Sequence, residues 1–172
     1  LSASTGIKRF HIEAGNTITL SANSDSHTFL GMGWTLLLGG QSIEGLFAEG
    51  ANVAGIGIST VTHPRFEKCG IGAVTMPPCI LRWCGIGAGG GQFAAGSAGQ
   101  FFIVGCVGMV PGSGSPSFDF SGLGDTTGIN CRRWAGGAAY TLDSDCTLSH
   151  EVLAGGGTTV TTGGGDVEIR GI

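Results

Sequence analysis

Apolar and polar residues alternate in Phe10-His11-Ile12-Glu13 and again in Thr17-Ile18-Thr19-Leu20, the two-residue period of half-buried β-strands. Gly15-Asn16 between them signals a reversal. A two-residue turn would set Ile12 opposite Thr19 and mix the faces. A three-residue loop over residues 14–16 instead pairs Ile12 with Ile18 and Phe10 with Leu20. The pattern predicts a hairpin with Gly15 or Asn16 at positive φ. Phe101-Phe102-Ile103-Val104 reads as a buried strand, and Thr158–Thr162 and Asp166–Arg170, separated by Gly163–Gly165, as a further strand pair. No stretch keeps a helical period beyond two turns.

Composition extends this picture. Glycine fills 35 of 172 positions while 41% of residues stay hydrophobic. Without a Gly-X-Y period, and with this density of Phe, Ile, Leu and Val, collagen and disorder are excluded. A compact, turn-rich all-β domain remains. The expected fold is a disulfide-stapled antiparallel sandwich or jelly roll over residues 1–172, with a cysteine-containing, Gly-rich central region at 69–146. A short β-solenoid is the alternative. It rests on Gly55-Ile56-Gly57, Gly70-Ile71-Gly72 and Gly85-Ile86-Gly87, which recur every 15 residues, with Thr60/Thr75 and Cys69/Cys84 in the same register.

The six cysteines, Cys69, Cys79, Cys84, Cys106, Cys131 and Cys146, are even in number. They predict up to three disulfides in an oxidising compartment, in any of 15 pairings. Cys79 and Cys84 are the single close pair and have no matching second knuckle, which argues against zinc. The start at Leu1, without methionine, fits a mature product whose targeting segment has been removed. An extracellular or cell-surface location follows from these two readings together.

Charge narrows the partners. Eight Lys/Arg against twelve Asp/Glu give a net charge of −4, and only 12% of residues are charged. The cations look scattered along the chain, so nucleic acid is excluded. Residues 83–118 carry no charge. Cys84 to Val110 could span a bilayer by length, but its nine glycines and missing downstream anchor favour a buried core or a subunit interface.

Candidate chemistry is sparse. His11, His27, His63 and His150 read as solvated surface side chains, and no His-x-x-x-His pair occurs. Ser42 and Ser97 fall short of Gly-x-Ser-x-Gly, and Gly85–Gly90 matches G-x-G-x-x-G without a βαβ context. Asp143 and Asp145, or carboxylates near Asp119 and Asp125, could share a cation but read as turn caps. The repeated Thr-x-Thr triplets lack regular spacing, which argues against an ice-binding array. No catalytic residue, cofactor or metal is expected. A surface with so little charge points to self-association. The expected function is a non-enzymatic, secreted structural subunit of a coat, sheath or filament, with copies of itself as partner. Phe101, Phe102, Ile103 and Val104 are its interface candidates. The alternatives are a membrane-active toxin using 84–110, and a carbohydrate-binding module using Trp34, Trp83 or Trp134 as a platform.

Overall fold

The computed structural model describes residues 6, 8–87, 91–109, 115–121, 127–142, 146–154, 157–162 and 168–171. It is a parallel β-solenoid of about seven turns. The strands are β1 (Arg9–Ile12), β2 (Thr17–Thr19), β3 (Thr28–Leu37), β4 (Gln41–Ser42), β5 (Phe47–Ile58) and β6 (Arg65–Glu67). They continue with β7 (Gly70–Met76), β8 (Ile80–Arg82), β9 (Gly85–Ile86), β10 (Phe93–Ala95), β11 (Gln100–Val104) and β12 (Val107–Gly108). The last six are β13 (Ser117–Phe120), β14 (Gly128–Ala135), β15 (Ala138–Leu142), β16 (Thr147–Ala154), β17 (Thr158–Thr162) and β18 (Glu168–Gly171). Among the described residues there is no helix.

Every ladder is parallel, and three faces run along the coil axis. The first stacks β1, the start of β3, the start of β5, then β6, β8, β11, β14, β16 and β18. The second stacks β2, the end of β3, the middle of β5, the start of β7, then β9 and β12. The third carries the end of β7, then β10, β13, β15 and β17. These ladders correct the antiparallel expectation and bear out the solenoid alternative.

The strand patterns predicted from the sequence survive, with different partners. Phe10 lies beside Phe29 and Ile18 beside Leu36, so β1 and β2 are successive sides of one coil. Gly15, at φ +81°, turns the chain between them, and its N–H donates to the Gly33 carbonyl one coil on. β17 and β18 likewise pair with β15 and β16, not with each other. Glycines 163–165 lie outside the described residues.

The Gly-Ile-Gly repeat is half right. Gly70 and Ile71 stack on Gly85 and Ile86, and Cys84 follows Cys69 at the same point of the coil. Gly55 and Ile56 instead meet Val74 and Thr75.

One corner repeats along the molecule. Gly15, Gly33, Gly50, Lys68, Trp83, Gly105 and Arg133 all have positive φ and link the first face to the second on successive coils. The residue after each of the last six is buried: Trp34, Ala51, Cys69, Cys84, Cys106 and Trp134. A left-handed residue turns the backbone without an inserted loop. The core stacks in columns. On the first face Phe10, Phe29, Ala48, Phe66, Leu81, Ile103, Cys131 and His150 follow one another in register. On the third, Phe118 lies 5.8 Å from Phe93 and stacks on Tyr140 at 4.8 Å between ring centres.

Candidate functional site

Carboxylates fasten successive coils where the chain passes from the third face to the first. Asp25 Oδ1 accepts hydrogen bonds from Ser42 Oγ at 2.5 Å and from the Glu44 N–H at 3.1 Å. Glu44 repeats the arrangement one coil later. Its carboxylate accepts from the N–H groups of Thr60, Val61 and Thr62, from Thr60 Oγ1 at 3.0 Å, and from Ser59 Oγ at 2.9 Å. Desolvation pulls its pKa upward, but the N–H groups of Thr60 and Thr62, the Ser59 hydroxyl and the Val61 N–H hold it down to about 2.

This clasp shapes one wall of a groove of about 300 Å³, lined by Ser59, Val61, His63, Pro78 and Ser97 among others. His63 lies 6.4 Å from the Phe102 ring, and its Nε2 is buried without a hydrogen-bond partner. The fold thus brings together His63 and Ser97, two residues from the candidate list. Ser59 Oγ is committed to Glu44 and to the Thr62 carbonyl at 2.8 Å, and no hydrogen bond joins His63 to either serine. The groove therefore holds no formed nucleophile–base pair. The clasp itself was missed because its only local signal, a carboxylate in a turn, is common to most solvated loops.

Two histidines expected at the surface are in the core. His27 is 7% exposed, donates a hydrogen bond from Nδ1 to the Asp25 carbonyl at 2.8 Å, and stacks on Phe10 at 5.9 Å. His150 is 6% exposed, with Nδ1 2.9 Å from Tyr140 Oη and Nε2 3.3 Å from Thr158 Oγ1. Burial lowers its pKa. Glu151, its polar neighbour in sequence, suggested solvent, whereas strand alternation turns His150 inward. His11 is exposed, as expected, and His63 is half-buried.

The disulfide expectation is corrected as well. Cys69, Cys79, Cys84, Cys106 and Cys131 are buried free thiols, and Cys146 is buried too. Three of them form a ladder. Cys69 Sγ donates to the Ala48 carbonyl, Cys84 Sγ to that of Phe66, and Cys106 Sγ to that of Leu81, each one coil back. The Cys84 N–H also donates to Cys106 Sγ at 3.3 Å. Small, weakly polar side chains fit this column, where each thiol finds a carbonyl above it. Hydrogen bonding to Cys106 and Cys69, with burial, pushes the Cys84 thiol up, and burial pushes Cys131 up to about 12. Among the described residues no His, Cys, Asp or Glu cluster could hold a metal ion.

The interface candidates divide by strand parity: Phe101 and Ile103 are core residues, while Phe102 and Val104 face outward. Within 84–110, Cys84, Ile86, Phe93, Phe101, Ile103 and Cys106 fill the coil interior. Trp34 and Trp134 are fully buried, with their indole N–H groups on the carbonyls of Glu49 and Gly136. Trp83 is exposed. Gly85 and Ile86 form a ladder strand, and the rest of the G-x-G-x-x-G match, Ala88 to Gly90, lies outside the described residues, as do Asp125, Asp143 and Asp145. Asp119 accepts hydrogen bonds from Ser121 and Gln92. No family model, curated protein or solved structure matches the chain.

Proposed function

We propose that this chain is a non-enzymatic structural subunit that assembles with copies of itself into an extracellular or cell-surface coat, sheath or filament. One observation carries the reading. β1 and β2 each pair on one side only, with β3, and among the described residues nothing covers their other edge. β17 and β18 are likewise paired on one side, with β15 and β16. Among the described residues the first and last strands of the parallel ladder thus keep unpaired N–H and C=O groups that suit the terminal coil of another copy. Partly buried Phe10, Ile12 and Ile18 at the β1–β2 end would complete their burial there. Such head-to-tail contact is heterologous and does not close, so it grows a filament.

Size-exclusion chromatography with light scattering, across a concentration series, tests this. Growth beyond the 17.2 kDa monomer is expected, unchanged by reductant, because the buried thiols do not staple the subunits. Ile18→Lys, which places a charge on the open end, should leave monomers that keep the β circular-dichroism signal. A wild-type monomer at every concentration would overturn the proposal.

A further inference from the structure

The corner at Trp83 plays no part in end-to-end assembly. Trp83 is 57% exposed and holds φ +53°, a conformation that bulky residues seldom adopt. Its indole lies over Gly105 of the next coil, where a Cβ would come within 2.8 Å of Cδ1. Met109, 53% exposed, covers Gly85 in the same manner, and Val107, 42% exposed, is the ladder partner of Gly85. Trp83 and Met109 therefore each lie over a glycine of the neighbouring coil, and the exposed Val107 stands between Gly105 and Met109 in the chain.

The ladder also gathers cations that are far apart in sequence. Lys68 holds the corner one coil before Trp83, and Arg133 holds it two coils after. Arg82 and Arg132 precede Trp83 and Arg133 in the chain. Half of the eight cations thus flank the apolar patch. Lys68 is paired with Glu49 at 2.7 Å, and Arg82 lies 3.9 Å from Glu67. Arg132 and Arg133 are exposed and have no ion-pair partner among the described residues; Glu151 occupies the following coil.

An apolar patch rimmed by charge marks a docking surface. We infer that this corner docks on an anionic lipid bilayer. Trp83, Val107 and Met109 enter the boundary between headgroups and acyl chains, and Arg132 and Arg133 meet lipid phosphates and carboxylates. Tryptophan suits that boundary, being apolar in body with one polar N–H. A hydroxyl-rich sugar would find few partners here, since Gly85, Gly105, Val107 and Met109 offer it no side-chain hydrogen bond. A second copy docked through the same patch would set cations against cations. The contact is peripheral, because the inward residues of these coils stay in the core.

The test uses the full chain with vesicles of phosphatidylcholine alone, or with about a third phosphatidylserine. With Trp34 and Trp134 buried, a blue shift of tryptophan emission reports Trp83. Co-sedimentation and a blue shift are expected with the anionic vesicles only, weakening with salt. Arg132→Gln and Arg133→Asn should each weaken binding about fivefold. Trp83→Asn should abolish the shift while preserving the fold, because asparagine tolerates the left-handed corner. Absence of binding to anionic vesicles, or equal binding by the three variants, would overturn the inference. So would a vesicle-free rise in particle mass that Trp83→Asn removes, or retention on an acidic polysaccharide without vesicle binding.

Discussion

The carboxylate of Glu44 accepts the backbone N–H groups of Thr60, Val61 and Thr62, so one side chain satisfies three successive donors of the next coil's loop. Its folded pKa of about 2 lies below the ~4.3 of an unfolded glutamate. The depressed value stabilises the fold above pH ~4.3, and that contribution is lost as pH falls toward 2. Urea midpoints between pH 7 and 2.5 should decline over that window. Glu44→Gln should lower stability by about 1 kcal/mol at pH 7, consistent with the partial exposure of the clasp, and flatten the decline.

His150 titrates in a different window. Burial sets its folded pKa below the ~6.5 of an unfolded histidine. Its neutral form contributes stability in full above pH ~6.5, and that contribution falls as the pH drops below it and the unfolded chain takes up a proton. Denaturation midpoints at pH 7.5 and 5.5 should differ. The His150→Phe/Tyr140→Phe double variant, which removes the buried Tyr140 hydroxyl together with its partner and leaves the exposed Thr158 hydroxyl to water, should reduce that difference.

The left-handed corner column predicts opposite effects at two of its members. Gly50 has φ +72°, and a Cβ there would strike the Gly31 carbonyl and Met32 Sδ. Gly50→Ala should cost at least about 2 kcal/mol. Arg133 occupies the same corner at φ +56°, and Arg133→Gly should stabilise the chain by about 1 kcal/mol. Thermal melts of the two variants beside the wild type check both signs.

Thiol accessibility provides a fourth check. Cys69, Cys79, Cys84, Cys106 and Cys131 should resist an aromatic disulfide reagent in the native state and react once denaturant unfolds the coils. The melting temperature should be the same with and without reductant.

Residues 10–20 show what could be read from the sequence. The alternation of Phe10, Ile12 and Ile18 and the positive φ of Gly15 were legible, because both are properties of a few consecutive residues. Whether a left-handed glycine folds a strand back on itself or turns it onto the next side of a coil depends on Gly33 and Leu36, which lie a full coil away. That distance is not constant. Gly70 meets Gly85 after 15 residues, and Phe101 meets Ile129 after 28. A fixed-period search therefore finds the Cys69/Cys84 pair and little else. Trp83 and Arg133 have the same cause: the first was legible only as a lone platform candidate and the second only as one of the scattered cations, and the ladder alone sets them in one corner column, two coils apart.

Unequal coils give the molecule an ordered mechanical signature. Each coil is fastened chiefly to the one before and the one after, so a pull applied between the two ends would peel coils off singly. A coil of 15 residues releases about 50 Å of extended chain and one of 28 about 100 Å. A force–extension trace would then record steps of different length, and their sequence would spell out, in ångströms, the register of the whole ladder.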